Sequence, residues 1–219
     1  MPLINNVFSF TAEELTLIES IKILDDFDHK KWSSNALTPI RIRIRNFYRE
    51  HQNFICTYCK GDISTTSAFN AQVEHIVPKA LHIDFMFTPK NLCVICADCN
   101  SIKSDKEVAN EEEHTTNNEN IIRYPTTADA FKIVHPHFDE YDEHIKIVAD
   151  NFYVENNNSN KGRFTIYLCK LNRNFTRKYN RTEESLIDDS LNTTFQVFNE
   201  VAPDEKKIIV NSLLQSLLN

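Results

Sequence analysis

Apolar residues recur at helical spacing along the first fifty positions. Thr11, with Glu14 three residues on, reads as the cap of a helix running from about Thr11 to Phe27. A second helix is expected from Thr38-Pro39 to Glu50. Thr38 is its expected cap and Pro39 its first turn, with Ile40, Ile44 and Phe47 on one face and Arg41, Arg45 and Arg49 on another. The alternation Ile40-Arg-Ile-Arg-Ile-Arg also fits a strand, but the cap and the proline favour a helix. Further on, residues 72–77 and 92–95 predict a short hairpin, and a helix is expected after Asn100. Residues 109–120 are polar and poor in core formers, which predicts a surface loop.

The second half of the chain predicts strands at Ile145–Val148 and Phe152–Val154. A turn through Asn156–Asn160 then leads into a third strand at Phe164–Leu168. Helices are expected from Leu171 onward, with Arg173, Arg177 and Arg181 sharing one face. Pro203 breaks that helical tail. Ile208, Ile209, Leu213, Leu214, Leu217 and Leu218 form a last amphipathic segment, expected to pack on its own domain; a partner-binding helix is the sharper alternative.

These elements make an α+β fold. The 219 residues and 41% apolar content suffice for a core, while two glycines and 11% aromatics argue against a disordered chain. No apolar run is long enough to cross a bilayer. The start Met1-Pro-Leu-Ile-Asn-Asn6 lacks the basic and apolar character of an export signal, so a soluble cytoplasmic protein with reduced thiols is expected.

The net charge of −7 is unusual for a protein that touches nucleic acid, yet the charges are unevenly spread. Lys30, Lys31, Arg41, Arg43, Arg45 and Arg49 lie in a stretch without acid, and so do seven basic residues from Lys161 to Arg181. Acid collects at Glu111-Glu-Glu113 and around Asp139, Glu140, Asp142 and Glu143. Basic strips on one face can follow phosphates even on an acidic molecule. For any single arginine, a solvated helix face is the simpler reading.

Six cysteines change the picture. Cys56-Thr-Tyr-Cys59 and Cys96-Ala-Asp-Cys99 are two CxxC pairs separated by 36 residues, a return loop that a tetrahedral zinc would close. Four thiolates leave no open coordination position, so such a zinc is structural. Cys93-Val-Ile-Cys96 competes as the second pair. The later pair is preferred, because Ala97 and Asp98 suit a knuckle turn and Val94 and Ile95 suit a buried strand; Cys93 and Cys169 then remain buried thiols.

Between and after the pairs stand Glu74-His75-Ile-Val-Pro78-Lys79, Asn91-Leu92 and Cys99-Asn100-Ser-Ile-Lys103. Residues 54–107 thereby resemble the HNH endonucleases of the ββα-metal, or His-Me finger, group, in its zinc-stapled McrA-type branch. The shared order is CxxC, an acid joined to histidine and followed by proline, Asn-Leu, then CxxC-Asn with a lysine three residues on. The resemblance implies a zinc-stapled ββα core in a mostly helical surround, with a small additional hairpin or sheet. It divides the chain into an N-terminal helical region (1–53), a nuclease core (54–108) and a C-terminal α+β region with a helical tail (109–219). The family often carries aspartate where Glu74 stands.

The chemistry of phosphodiester hydrolysis fits these residues. His75 is the candidate base, since a neutral imidazole accepts a proton from water. Glu74 and Asn100 are candidate oxygen ligands for a catalytic Mg²⁺ or Mn²⁺. The resemblance implies that Asn91 pins the loop facing His75 and that Lys103 approaches the phosphate backbone, with DNA as substrate. Flanking stretches, Phe131-Lys-Ile-Val-His-Pro-His-Phe-Asp139 and Thr165-Ile-Tyr-Leu-Cys-Lys-Leu-Asn-Arg173, resemble the HNH subunits of the Septu and retron defence systems, which act with an ATPase partner subunit. The competing class is a zinc-stabilised module that binds nucleic acid or protein without cutting. His135-Pro-His137 with Asp139, Asp142 and His144 suggests a second metal site, but an ordered turn with surface acids is the preferred reading.

Overall fold

A computed structural model describes residues 4–104, 114–118, 120–148 and 152–174. It divides into two compact units, Met1–Tyr141 and Asp142–Asn219. The boundaries expected after residues 53 and 108 fall inside the first unit.

In the first unit, α1 spans Ala12–Lys22 and carries the anticipated capping box: Glu14 N–H donates to Thr11 Oγ1, and Thr11 N–H to the Glu14 carboxylate. It stops five residues short of Phe27. Two short 3-10 turns, His29–Ser33 and Asn35–Leu37, lead into α2 (Thr38–His51). Thr38 is the first helical residue of α2 rather than its cap; Leu37 holds that position without a side-chain bond, and the Thr38 hydroxyl instead accepts from Arg41. Ile40, Ile44 and Tyr48 form the buried face of α2, settling the helix against the strand alternative.

Strands β1 (Gln72–His75) and β2 (Leu92–Ile95) pair antiparallel, with Glu74 opposite Cys93 and His75 opposite Leu92. Helix α3 (Ala97–Lys103) follows directly and begins before Asn100, because the Cys96 sulfur caps it by accepting from Cys99 N–H. Helix α2 packs on both strands. The Gln52 carboxamide lies along the outer edge of β2, accepting from Val94 N–H at 2.8 Å and donating to Val94 C=O at 2.7 Å. A side chain thus supplies the partner that a third strand would otherwise provide.

Part of the expected surface loop is internal. Thr115 and Thr116 are buried, and Thr116 bridges to Phe131 while Lys132 N–H donates to Thr115 C=O. Their backbone groups need partners that polar composition does not reveal.

A helical turn, α4 (Tyr141–His144), leads along the chain into the second unit, where β3 (Ile145–Val148) and β4 (Phe152–Glu155) pair antiparallel. The third strand expected at Phe164–Leu168 is instead the end of a helix, α5 (Asn160–Leu168). Ser159 caps it by accepting from Gly162 N–H, and buried Gly162, Thr165 and Leu168 recur at helical spacing. Glycine is required at position 162, since a Cβ there would meet the His144 carbonyl oxygen at 2.0 Å. Arg177, Arg181, Pro203 and the apolar segment from Ile208 to Leu218 lie outside the described residues, as does Glu111-Glu-Glu113. Among the described residues no helix is long and apolar enough to cross a membrane.

Candidate metal centre and the adjoining cleft

Cys56, Cys59, Cys96 and Cys99 bring their four sulfurs within 4.8 Å of one another, all on buried residues. The Cys59 and Cys96 sulfurs are 3.7 Å apart, close to the edge of about 3.8 Å that follows from tetrahedral metal–sulfur bonds of about 2.3 Å. These four residues therefore fit a structural metal such as zinc. The first knuckle is shaped by Lys60, whose φ of 56° turns the chain so that Lys60 N–H donates to Cys56 C=O and Cys56 N–H to Gly61 C=O.

Burial, then hydrogen bonding with Cys59 and Cys96, pushes the Cys56 thiol up, and bonds with Cys56, Cys59 and Cys96 push Cys99 up. Hydrogen bonding with Cys56 is the main cause that holds Cys59 low and lowers Cys96 to about 7. Four sulfurs this close cannot all ionise unless a cation is among them. Cys93 stands outside the cluster on β2; burial, then the charge of Glu74, pushes its thiol up. The second pair is Cys96 with Cys99.

Immediately behind the staple, α3 lays Asn100 and Lys103 against Gln72 and Glu74 of β1. The Asn100 amide donates to Gln72 Oε1, and the Lys103 ammonium is ion-paired with the Glu74 carboxylate. Lys103 is only 4% exposed and also donates to His75 C=O at 3.1 Å, so it is neither a solvated lysine nor directed outward at a phosphate. Asn91 is fully buried. Its Oδ1 accepts from Val77 N–H at 2.7 Å, and its Nδ2 donates to Val77 C=O and Phe85 C=O.

The His75 ring follows from these restraints. Its Nε2 donates to Met86 C=O at 3.0 Å, so the neutral ring carries its lone pair on Nδ1. Trp32 meets the imidazole edge-on, with ring centroids 4.5 Å apart. Only 4% of His75 is exposed, yet it lines a cleft of about 330 Å³ together with Glu74, Asn100, Arg41, Arg45 and Lys79.

Sequence reasoning singled out His75, Glu74, Asn100, Asn91 and Lys103, and the structure places all five on or around β1, with Asn100 at its first residue and Asn91 just past its last. It did not anticipate Trp32, whose position far upstream of the motif carries no signal, or the engagement of Lys103 with Glu74. The His135-Pro-His137 segment is the expected ordered turn, with Phe138 N–H and Asp139 N–H both donating to His135 C=O, and the neighbouring acids Glu140 and Asp142 are exposed; its histidines and Asp139, however, face inward. His135, His137 and Asp139 are buried: His137 Nε2 donates to Leu92 C=O, His135 Nε2 bonds the Tyr124 hydroxyl, and Asp139 accepts from His135 N–H. His137 thereby ties this segment to the first residue of β2. Among the described residues, the four cysteines are the one group of three or more His, Cys, Asp or Glu side chains placed to share a metal.

Searches against protein-family models and against curated proteins found no match to this chain.

Proposed function

We propose that the protein is a metal-dependent endonuclease of the HNH type that hydrolyses DNA phosphodiester bonds. The observation that carries this reading is the common cleft of His75, Glu74 and Asn100, set beside the four-cysteine cluster on a β1–β2–α3 unit. His75 acts as the base: the Nε2 bond to Met86 C=O fixes the tautomer whose Nδ1 accepts a proton from water. Asn91 holds the turn through Val77, and with it the end of β1.

Glu74 and Asn100 would hold Mg²⁺ or Mn²⁺, which supplies positive charge against the developing phosphorane. Their oxygens suit a hard cation. Asn100 donates to Gln72 through Nδ2, which leaves Oδ1 for that purpose, while Lys103 must release the Glu74 carboxylate. With Mg²⁺ or Mn²⁺ added, the purified protein is expected to nick or linearise plasmid. His75→Ala abolishes cleavage while bound zinc is unchanged, and cleavage persisting in that variant refutes the role of His75.

The resemblance of Phe131–Asp139 and Thr165–Arg173 to defence nucleases extends the proposal to an anti-phage effector in the cytoplasm, held in check by an ATPase partner. Full constitutive activity of the lone chain would count against that extension.

The ion pair between Glu74 and Lys103 favours a second reading, a zinc-stapled module that binds nucleic acid or protein without cutting, because it occupies the one carboxylate that the described residues place in the cleft. DNA binding with no cleavage across Mg²⁺, Mn²⁺, Co²⁺ and Ni²⁺ would select it.

A further inference from the structure

Helix α2 carries Arg41 and Arg45 one turn apart, and both line the cleft that holds His75. Neither behaves as a solvated arginine. Arg41 donates to Trp32 C=O, Ser34 C=O and Thr38 Oγ1, and Arg45 donates through Nε to Ala71 C=O at 2.8 Å. All of these acceptors are neutral. Among the described residues neither guanidinium is ion-paired with a carboxylate.

Among the described residues the only acid lining the cleft is Glu74, and Lys103 already neutralises it. Lys79 adds a third cation to the lining. Burial pushes the Arg45 guanidinium down from its ordinary range, followed by repulsion from Arg49 and Arg41. Two partly buried guanidinia on one wall, anchored by carbonyls and facing no unpaired carboxylate among the described residues, are an arrangement that an anion completes. Among the described residues Arg45 bonds through Nε alone, to Ala71 C=O, so its terminal nitrogens keep a planar fork for a phosphate.

We propose that Arg41 and Arg45 form a phosphate seat that holds the DNA backbone across the mouth of the His75 cleft. This deepens the nuclease reading and rests on it for the choice of DNA. The seat lies on α2, upstream of the HNH-like segment, so the N-terminal region supplies part of the substrate site. Arg49, on the same helix, is excluded from it: it is buried and donates to Thr65 C=O and Ser67 C=O. Arg43 is also excluded, being ion-paired with Glu14 and absent from the cleft lining.

The test is fluorescence anisotropy of the full chain with a 5′-fluorescein-labelled duplex of about 20 base pairs, without divalent cation, across a series of salt concentrations. Arg45→Gln should weaken binding about tenfold and reduce the slope of log K against log salt by about 1. Arg43→Gln removes the same charge from the same helix and should leave the slope unchanged. Arg45→Lys should retain the slope and lose part of the affinity. An Arg45→Gln slope equal to that of Arg43→Gln overturns the seat, as does equal loss in Arg45→Gln and Arg45→Lys, since that marks a role in anchoring Ala71 only.

A parallel plasmid assay with Mg²⁺ and Mn²⁺ separates the two readings. Arg45-dependent binding without cleavage keeps the seat and removes the nuclease. Cleavage with an unaltered Arg45→Gln slope does the reverse.

Discussion

The Asn91 carboxamide closes on Val77 from both sides, accepting its N–H at 2.7 Å and donating to its C=O at 3.0 Å. It ties the segment leaving β1 to the segment entering β2 with no solvent exposure. Asn91→Ala leaves Val77 N–H, Val77 C=O and Phe85 C=O without that partner. At about 1–3 kcal/mol for each buried orphan, the expected loss is about 3 kcal/mol or more, read from the midpoint of urea unfolding. Asn91→Asp restores only the acceptor and should also destabilise. A shift below about 1 kcal/mol in Asn91→Ala would mean water replaces the amide.

Lys103 and Glu74 are each 8% exposed or less at the side chain, so removing one charge strands the other. Lys103→Met should cost about 3–5 kcal/mol. Millimolar Mn²⁺ should raise the Tm of this variant more than that of the wild type, because the cation takes the place of the ammonium at Glu74. Equal Tm gains in the two proteins would show that Mn²⁺ does not reach this carboxylate.

The cysteine cluster makes its own prediction. Elemental analysis should find one zinc per chain, lost in Cys56→Ser or Cys99→Ser and kept in Cys93→Ala, because Cys93 lies outside the sulfur cluster. Chelation should lower the Tm substantially, since a structural zinc contributes directly to folding. Zinc loss in Cys93→Ala would reassign the second pair.

Trp32 braces the ring of His75. Long-range ¹H–¹⁵N spectra of the wild type near neutral pH should show the Nε2-protonated tautomer that the Met86 carbonyl selects. Trp32→Ala should give mixed tautomers and cost about 1 kcal/mol, whereas Trp32→Phe keeps the edge contact. A single unchanged tautomer in Trp32→Ala would leave Met86 as the sole restraint.

Burial lowers the pKa of His137 from its ordinary value of 6.5. The unfolded chain therefore takes up the proton more readily than the folded one. The stabilising contribution is complete above about pH 6.5 and declines as pH falls through that value toward the folded pKa. His137→Gln should flatten that acid limb in Tm measured from pH 7.5 to 5. An unaltered limb would move the acid sensitivity to another group.

Spacing made the β1–β2–α3 unit legible, because CxxC pairs and the Glu-His and Asn-Leu steps each need a particular local backbone. The capping box at Thr11 was legible for the same reason. Less was visible where distant partners decide. Phe164–Leu168 alternates like a strand, but the Ser159 cap and the close approach of Gly162 to His144 make it a helix. Arginines at every fourth position on α2 read as a solvated face, whereas backbone carbonyls from Trp32, Ser34, Thr65, Ser67 and Ala71 draw three of them inward.

The sequence by itself pointed to the two CxxC knuckles and to the imidazole that stands beside a carboxylate, since each knuckle and the Glu74-His75 step is a pattern of residues at most three apart on one turn, helix or strand. Tertiary structure alone decided what those groups face. Lys103 neutralises Glu74, Trp32 braces His75, and Arg41 and Arg45 line the cleft beside them, because chain closure places residues far apart in sequence within a few ångströms. Ion pairing and desolvation are set by that proximity, which no local pattern encodes.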